Sequence, residues 1–204
     1  MDLAAITARL AGRTPGIQGV NQQYAVLAPL VEEAGALHLL FEVRARTLSR
    51  QPGEVCFPGG RVEPGETPAS CALRETAEEL AIPPEEVELL APLDLLVQPG
   101  VFVMHPFLAR VSRAGLAAMV PSPAEVGETF TVPLDFFRQN SPLRYTNDLA
   151  PQVGEDFPYD LIGFPQGYPW RHGRVEVPIY RWQGRAIWGL TGRIVDSLVH
   201  LLEG

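Results

Sequence analysis

The stretch from residue 60 to 82, GRVEPGETPASCALRETAEELAI, constrains the fold more than any other part of this chain. Apolar side chains recur at helical spacing over residues 67–80, and Thr67 is a favourable N-cap that Pro68 follows at the first helical position. The Pro83–Pro84 pair then ends the helix. The sequence therefore predicts a short helix with a defined start and end.

Three carboxylates of this helix fall on one narrow face. At 100° per residue, Glu75, Glu78 and Glu79 lie at about 0°, 300° and 40°. Like charges one turn apart repel each other by a few tenths of a kcal/mol, and a hard divalent cation would compensate for that repulsion. Arg74, one turn before Glu78, is placed to pair with it and hold its orientation. A solvated acidic face explains the helix alone equally well.

The residues before the helix favour the metal interpretation. In CFPGGRVEPGE, Gly59 and Gly60 permit unusual backbone angles and a close approach of main-chain groups to a ligand. Magnesium binds a few carboxylates and completes its coordination with water and phosphate oxygens. A glycine-rich strand end that leads into an acidic helix therefore indicates a site for a metal-bound polyphosphate.

Apolar runs elsewhere predict several strands and three further helices. The strand candidates are YAVLAPLV, LHLLFEV, VELLAPLDLLV, VFVMHPFLARV and VEVPIYRWQGRAIWGL, the last forming two strands about a Gln183–Gly184 turn. Helices are predicted at about 2–11, at 133–138 and, capped by Thr191, at about 191–202. Residues 145–174 lack periodicity and are predicted to form a lid or binding loop. We expect one mixed α/β domain over residues 1–204.

Composition excludes several classes of protein. The chain has 204 residues and a net charge of -8, which argues against binding nucleic acid by neutralising phosphates. It has no lysine, so lysine chemistry is excluded. No apolar run is long enough to span a membrane and the start lacks a signal peptide's apolar core, so we expect a cytoplasmic protein. Cys56 and Cys71 are expected to be buried thiols.

The region around the helix resembles the Nudix hydrolase family. The family's box runs Gly, five residues, Glu, seven residues, then Arg-Glu-hydrophobic-any-Glu-Glu-any-Gly-hydrophobic. The matching residues are Gly60, Glu66, Arg74, Glu75, Glu78, Glu79 and Ile82. Thr76 replaces an aliphatic residue and Ala81 replaces the glycine. We expect neither to remove a ligand, and we expect Ala81 not to need a positive φ.

This resemblance implies an α/β/α sandwich with a mixed sheet and hydrolysis of a diphosphate linked to another moiety. Glu75 and Glu79 match the family's principal metal ligands, and Glu78 matches a further ligand or the general base. Glu66 matches a supporting acid and Arg74 the residue that orients the cluster. The resemblance implies Mg²⁺ or Mn²⁺ as cofactor, with a metal-bound water deprotonated by a carboxylate. It leaves open which glutamate is the base.

The stretch before the box resembles the coenzyme A diphosphatase signature of this family. The matching residues are Leu40, Arg44, Ala45, Gly53, Phe57, Pro58, Gly59 and Gly60. Phe41 replaces a leucine, Glu42 replaces a threonine, and Ser49 stands where an arginine is expected, with Arg50 one place later. The resemblance implies coenzyme A as substrate, with 4′-phosphopantetheine and adenosine 3′,5′-bisphosphate as products.

Candidate substrate contacts follow from the same signature. Guanidinium groups suit phosphate oxygens, so Arg44 and Arg50 are the candidates for the 3′-phosphate of coenzyme A. Gly53, Gly59 and Gly60 are expected in the binding loop, and Phe57 is expected to be half core and half pocket wall. Downstream, Nudix relatives often place another acid near the metals, and of Glu125 and Glu128 we favour Glu128 as a catalytic residue.

Other functions stay open at this point. ADP-ribose, NADH or nucleoside triphosphate hydrolysis would use the same metal ligands, and a nucleotide-sensing module without catalysis is a weaker alternative. We expect a small-molecule substrate and no nucleic-acid or membrane partner. The oligomeric state is open and includes a homodimer, since tryptophans near the C-terminal end suit core packing, a subunit contact or adenine stacking.

Overall fold

The computed structural model describes residues 2–203, so Met1 and Gly204 of the predicted domain lie outside the described residues. The helices are α1 (Leu3–Leu10), α2 (Pro68–Leu80), α3 (Arg113–Ala118), α4 (Leu134–Gln139) and α5 (Gly189–Glu203), with a 3₁₀ turn at Pro84–Glu86. The strands are β1 (Gln23–Glu33), β2 (Ala36–Arg44), β3 (Val55–Cys56), β4 (Gly59–Arg61), β5 (Val87–Pro92), β6 (Leu96–Gln98), β7 (Phe102–Val111), β8 (Val126–Pro133), β9 (Leu143–Leu149), β10 (Gly173–Trp182) and β11 (Arg185–Ile187). This succession confirms the mixed α/β class.

Strand β1 lies at the middle of the larger sheet. It pairs antiparallel with β2, where Leu30 faces Leu39, and parallel with β7, where Gln23 faces Val103. The strand order is β3-β2-β1-β7-β5, and β4, β6 and β8 pair with β1, β7 and β2. Parallel and antiparallel pairs therefore coexist, as a mixed sheet requires. A smaller antiparallel sheet has the order β11-β10-β9.

Helix α2 packs on one face of the larger sheet because its inward side chains are small or apolar. Ala72 shares a buried cluster with Ala25 and Leu27 of β1. Near the end of the helix, Leu80 shares a neighbouring cluster with Leu40 of β2. Small side chains bring the helix backbone close to the sheet, and the opposite side of α2 is left to its charged residues.

The opposite face of the sheet carries the largest apolar core. Phe41 of β2 stacks on Phe57 with their ring centroids 4.8 Å apart. The same buried cluster includes Phe137 of α4, Tyr180 of β10 and Leu198 of α5. Residues of both sheets thus share one core, which places the smaller sheet beside the larger one.

A charged contact fastens the smaller sheet to α5. Arg144 of β9 donates from Nη2 to Asp196 Oδ1 at 2.9 Å, and the hydroxyl of Tyr180 donates to the same oxygen at 3.1 Å. The Asp196 side chain of this ion pair is only 17% exposed, so the pair is better shielded than a typical surface salt bridge. It fixes the position of β9 and β10 relative to the helix.

The prediction of a lid or loop over residues 145–174 is wrong at both ends. Strand β9 covers most of its beginning, and β10 begins at Gly173; the two pair antiparallel, with Tyr145 facing Val177. Every residue of β9 is exposed, so the strand has no buried face and shows no alternation that the sequence could reveal. Only the part between the two strands is turn and irregular structure.

The C-terminal helix begins earlier than predicted. Helix α5 starts at Gly189, so Thr191 lies within its first turn rather than at the cap. The Thr191 side chain is buried, and its Oγ1 donates to the backbone oxygen of Val55 at 3.2 Å. This threonine therefore links α5 to β3 instead of capping the helix. The predicted helices near residues 2–11 and 133–138 correspond to α1 and α4.

No helix within residues 2–203 is both long and apolar enough to cross a membrane.

Both cysteines are free thiols, Cys71 buried and Cys56 half-buried. Burial raises the pKa of the Cys56 thiol, which keeps it protonated and able to donate a hydrogen bond.

Candidate active site

The start of α2 and the turn before it bring backbone and carboxylates together. Thr67 caps α2 by accepting from the Ser70 amide, and the Ser70 side chain in turn accepts from the Thr67 amide. Strand β4, which precedes the cap, lies against β1, and a Cβ at Gly59 would collide with the backbone of Ala25 and Val26. Only glycine permits this close approach.

The second glycine of β4 makes room for a carboxylate. A Cβ at Gly60 would collide with the carboxylate of Glu75. The Glu75 side chain is 16% exposed and sits over this strand. The two glycines therefore have separate roles, since Gly59 admits the neighbouring strand and Gly60 admits the acid.

Arg74 is the centre of the charged cluster. Its Nε lies 2.9 Å from Glu66 Oε1, and its Nη1 lies 2.9 Å from Glu75 Oε1 and 3.0 Å from Glu78 Oε2. Hydrogen bonds to Glu66 raise the pKa of Arg74, and the same bonds lower the pKa of the Glu66 carboxyl. The predicted pairing with Glu78 is present, and Glu66 is the acid that holds the guanidinium in place.

Glu79 lies deeper than the other acids of the helix. It is 3% exposed, and its Oε2 accepts a hydrogen bond of 2.8 Å from the amide of Gly59. Arg74 has no ion pair with it in the described part of the chain. Burial, and next the negative charge of Glu42, raise the pKa of the Glu79 carboxyl. Burial also raises the pKa of Glu75, where the Arg74 hydrogen bond opposes it.

Two acids outside the helix come close to this group. Burial is the main cause that raises the pKa values of Glu75 and Glu79, and the charge of Glu125 adds to it in both. Glu42 of β2 is buried, and its negative charge raises the pKa of Glu79. In the sequence, Glu42 stands out only because it replaces the threonine of the upstream signature. The alternation of β2 could have located it, because residues two apart in a strand share one face, and Glu42 therefore lies on the same face as the buried Leu40.

Glu128, favoured from the sequence as the additional acid, points away from this group. It faces Val43 across the β2–β8 pair, and directly paired residues share one face of a sheet. Val43 packs against the large core on the face opposite α2. The carboxylate of Glu128 pairs with Arg185 instead. The loop that carries Glu125 is instead joined to α2, since the amide of Ser122 donates to the backbone oxygen of Glu79 at 2.7 Å.

The donor chemistry of this cluster fits a hard divalent cation. The side-chain atoms of its acids that could bind a metal ion are carboxylate oxygens, which hard cations prefer. One of them, Oε2 of Glu42, is buried and has no hydrogen-bond partner in the described residues. Within residues 2–203 no three His, Cys, Asp or Glu side chains are already arranged to hold an ion. Arg74 contacts Oε1 of Glu75 and Oε2 of Glu78, so the second oxygen of each carboxylate carries no contact with this arginine.

A cleft of about 690 Å³ opens beside this cluster. Its polar part includes Arg44 and Arg50 of the predicted contacts, and Arg44 Nε donates to the Arg50 backbone oxygen at 3.3 Å. Gly59, Gly60 and Phe57 also line it, although Phe57 is 3% exposed and belongs mainly to the core. Ser49 is exposed and is not part of this lining.

The remaining predicted contact, Gly53, has a backbone role. Its φ is +76°, and its amide donates to the Arg44 oxygen at 3.0 Å, which closes the loop that carries Arg50. The apolar part of the cleft includes Tyr24, Phe102 and Trp188. Arg193 of α5 also lines it. Trp188 is one of the tryptophans that the sequence offers for core packing, a subunit contact or adenine stacking. Tyr24, Phe102 and Arg193 share no local pattern because they come from separate elements.

The two departures from the box have different outcomes. Thr76 is buried and donates from Oγ1 to the Ala72 oxygen at 2.7 Å, so its hydroxyl is satisfied within α2. The expectation that Ala81 avoids a positive φ is wrong. It ends α2 in the left-handed conformation, with φ 55° and ψ 27°, and its amide donates to the Ala77 oxygen. This geometry explains why the box has glycine there.

Known proteins resemble residues 21–146 of this chain and, in the case of some relatives, nearly its whole length. The model of the NUDIX domain matches residues 21–146. The mouse protein named peroxisomal coenzyme A diphosphatase NUDT7 is 40% identical over 146 residues, which cover 67% of this chain and 57% of the mouse protein. The human protein named mitochondrial coenzyme A diphosphatase NUDT8 is 30% identical over 195 residues, or 95% of this chain and 75% of the human one.

A solved structure supports the fold assignment. The crystal structure of a MutT/nudix family protein from Enterococcus faecalis matches 100% of this chain and 70% of its own with a TM-score of 0.51 at 15% identity, which shows a common fold. The NUDIX match includes β1, β4 and the whole of α2, where the acids and Arg74 lie. The chain therefore belongs to the Nudix hydrolase family.

Proposed function

We propose that this Nudix hydrolase cleaves the diphosphate bond of coenzyme A and its derivatives, giving 4′-phosphopantetheine and adenosine 3′,5′-bisphosphate. The observation that carries the proposal is the position of Arg44 and Arg50 in the cleft beside the acidic cluster. Two guanidinium groups beyond the site of cleavage suit a substrate with a third phosphate. The names of the mouse and human relatives support the same substrate.

The acids of α2 would hold the divalent cation, which we propose to be Mg²⁺ or Mn²⁺. Glu75 and Glu79 are the proposed ligands, with Glu78 as a further one. When bound, the cation neutralises the diphosphate and lowers the pKa of a water. Arg74 positions Glu75 and Glu78 through its hydrogen bonds. The side chain of Glu78 is the most accessible of the three at 58% exposed, and it is the glutamate that we propose as the general base.

The shape of the cleft supports a long substrate with an apolar arm. Its lining combines arginines with the aromatic side chains of Tyr24, Phe102 and Trp188. Coenzyme A combines a phosphorylated nucleotide with a largely uncharged pantetheine arm. A nucleoside triphosphate lacks such an arm and would leave the apolar part of the cleft unfilled.

Arg50 can replace the arginine that the signature has at the position of Ser49. The signature places an arginine where Ser49 stands, yet Arg50 reaches the cleft lining from the next position. The loop ends at Gly53, whose positive φ turns the chain back toward β3. A shift of one residue within this loop thus keeps two arginines in the cleft, which is why we retain coenzyme A over ADP-ribose or NADH.

Product analysis tests the proposal directly. Pure protein is incubated with Mg²⁺ or Mn²⁺ and, separately, with coenzyme A, ADP-ribose, NADH and dNTPs, and the products are separated by chromatography. We expect preferential release of adenosine 3′,5′-bisphosphate from coenzyme A. Preference for another diphosphate would refute the substrate, and no turnover of any would favour a nucleotide-sensing role. The cytoplasmic location stays a prediction, since the named relatives are peroxisomal and mitochondrial.

A further inference from the structure

Glu42 is a buried carboxylate that the box and the upstream signature leave without a role. It is 1% exposed, and its Oε1 accepts a hydrogen bond of 3.2 Å from the thiol of Cys56. Its Oε2 is buried and has no hydrogen-bond partner in the described residues. A buried carboxylate oxygen without a partner is costly, so such a position calls for a ligand or a function.

The alternation of β2 directs Glu42 toward the acidic end of α2. Leu40, two residues earlier and therefore on the same face, shares a buried cluster with Leu80. Glu79 immediately precedes Leu80 in the helix, and its Oε2 binds the amide of Gly59. The thiol of Cys56 donates to Glu42, and Gly59, three residues later, donates through its amide to Glu79, so the same short segment contacts both carboxyl groups. The charge of Glu42, next after burial, raises the pKa of Glu79 accordingly.

The described residues supply little positive charge to this pair. Arg74 forms its ion pairs with Glu66, Glu75 and Glu78. Arg44 lowers the pKa of Glu42 through its charge, but it forms no salt bridge with that carboxylate among the ion pairs of residues 2–203. Two buried carboxyl groups therefore meet without a bound counter-ion from the protein, which is unfavourable unless a cation or a shared proton joins them.

We infer that Glu42 is an additional acidic residue of the metal centre, where its unpartnered oxygen faces Glu79 and strengthens the binding of a divalent cation. This inference rests on the proposed metal-dependent reaction. It also gives a reason for the departure from threonine at this position, since a hydroxyl carries no charge. Glu42 acts here as a binding and positioning residue and not as a base, because its carboxylate lies below the surface of the cleft.

A metal titration without substrate tests the inference. Binding of Mn²⁺ is followed by electron paramagnetic resonance or calorimetry in the wild type, Glu42→Gln and the control Glu33→Gln. Glu33 is a partly buried carboxylate at the other end of the β1–β2 hairpin and accepts a hydrogen bond of 2.9 Å from Thr131. We expect Glu42→Gln to weaken Mn²⁺ binding about tenfold or more, and Glu33→Gln to bind as the wild type does.

Thermal melting in the presence of a chelator gives a second readout. Glutamine at position 42 removes the buried charge, and its amide can donate to Glu79, so the metal-free variant should melt no lower than the wild type while gaining less from added Mn²⁺. If Glu42→Gln fails to fold, Glu42→Thr introduces the residue of the signature, with the same expected loss of Mn²⁺ affinity.

The outcomes separate this inference from the proposed function. Wild-type affinity in Glu42→Gln or Glu42→Thr would overturn it, as would an equal loss in Glu33→Gln. Glu42-dependent binding of Mn²⁺ together with no turnover of coenzyme A would support the inference and refute the substrate. No Mn²⁺ binding by the wild type would refute both.

Discussion

At the scale of single residues, burial gives the acids of this site different properties. Glu79 is nearly inaccessible, whereas the side chain of Glu78 is 58% exposed, although the two are neighbours on one helix. A buried carboxylate holds its charge only beside a cation, and an exposed one exchanges protons freely with water. The buried Glu79 therefore fits its proposed role as a metal ligand, and the exposed Glu78 is the proposed base.

Glu79→Gln should lower turnover of coenzyme A by roughly 100-fold or more, because it removes a proposed metal ligand without changing the shape of the side chain. The fold should survive, since the amide oxygen of glutamine can still accept from Gly59. Steady-state kinetics with Mg²⁺ and circular dichroism measure the two effects. Turnover equal to that of the wild type would remove Glu79 from the metal centre.

Glu125→Gln and Glu128→Gln form a matched pair on either side of the start of β8. We expect Glu125→Gln to lower kcat/KM several-fold, since its charge reaches Glu75 and Glu79. Glu128→Gln should keep its activity and lose about 0.5 kcal/mol of stability at most, because its ion pair with Arg185 is partly exposed. The opposite order of activity losses would restore Glu128 as the additional acid.

The sequence predicts one part of this site and not the other for a physical reason. Glu75, Glu78 and Glu79 share one helix, so the helical repeat alone brings them together. Glu42 and Glu125 approach that helix from the sheet and from a loop, and only tertiary packing decides their distance. Ala81 shows the same limit at the backbone level, because its left-handed conformation depends on how α2 ends.

At the scale of elements, α2 is held by its ends as much as by its packing. A reciprocal cap between Thr67 and Ser70 begins the helix, and the left-handed Ala81 ends it. The left-handed conformation costs a residue with a Cβ roughly 1 to 2 kcal/mol. This chain therefore retains strain at the residue that follows Leu80, two positions after the proposed metal ligand Glu79.

Ala81→Gly should stabilise the protein by about 0.5 to 1 kcal/mol, since relief of the left-handed strain exceeds the added chain entropy of glycine. Ala77→Gly, within the same helix, should destabilise it by about 0.5 to 1 kcal/mol. Urea unfolding of both variants measures the difference. Destabilisation by both substitutions would show that Ala81 is not strained.

At the scale of the whole molecule, the cleft depends on elements that are distant in the chain. Arg44 comes from β2, Phe102 from β7 and Arg193 from α5. The smaller sheet contributes Val175 and Val177 and is fastened to α5 through Arg144 and Asp196. Alternation and helical spacing predict the longer strands, such as β1, β2 and β7, and the helices other than α3. The short strands β3 and β4, the exposed strand β9 and the joint core of both sheets follow from packing that no local pattern encodes.

The substrate specificity of this assembled cleft is tested by Arg44→Ala. If Arg44 binds the 3′-phosphate, the variant loses charge-assisted hydrogen bonds of about 1.5 to 3 kcal/mol, so kcat/KM for coenzyme A should fall roughly tenfold or more. Dephospho-coenzyme A lacks that phosphate and should be affected much less. As a control, Arg46→Ala removes an exposed arginine of the loop after β2 that does not line the cleft. It should leave kcat/KM for both substrates unchanged.

Comparison of the two substrates separates phosphate recognition from a general disturbance of the cleft. The charge of Arg44 also reaches Glu42, so its loss could weaken the metal centre for every substrate. Equal losses for coenzyme A and dephospho-coenzyme A would therefore assign Arg44 to the metal centre and leave the 3′-phosphate to Arg50. A loss confined to coenzyme A would place the third phosphate beside Arg44, at the end of β2.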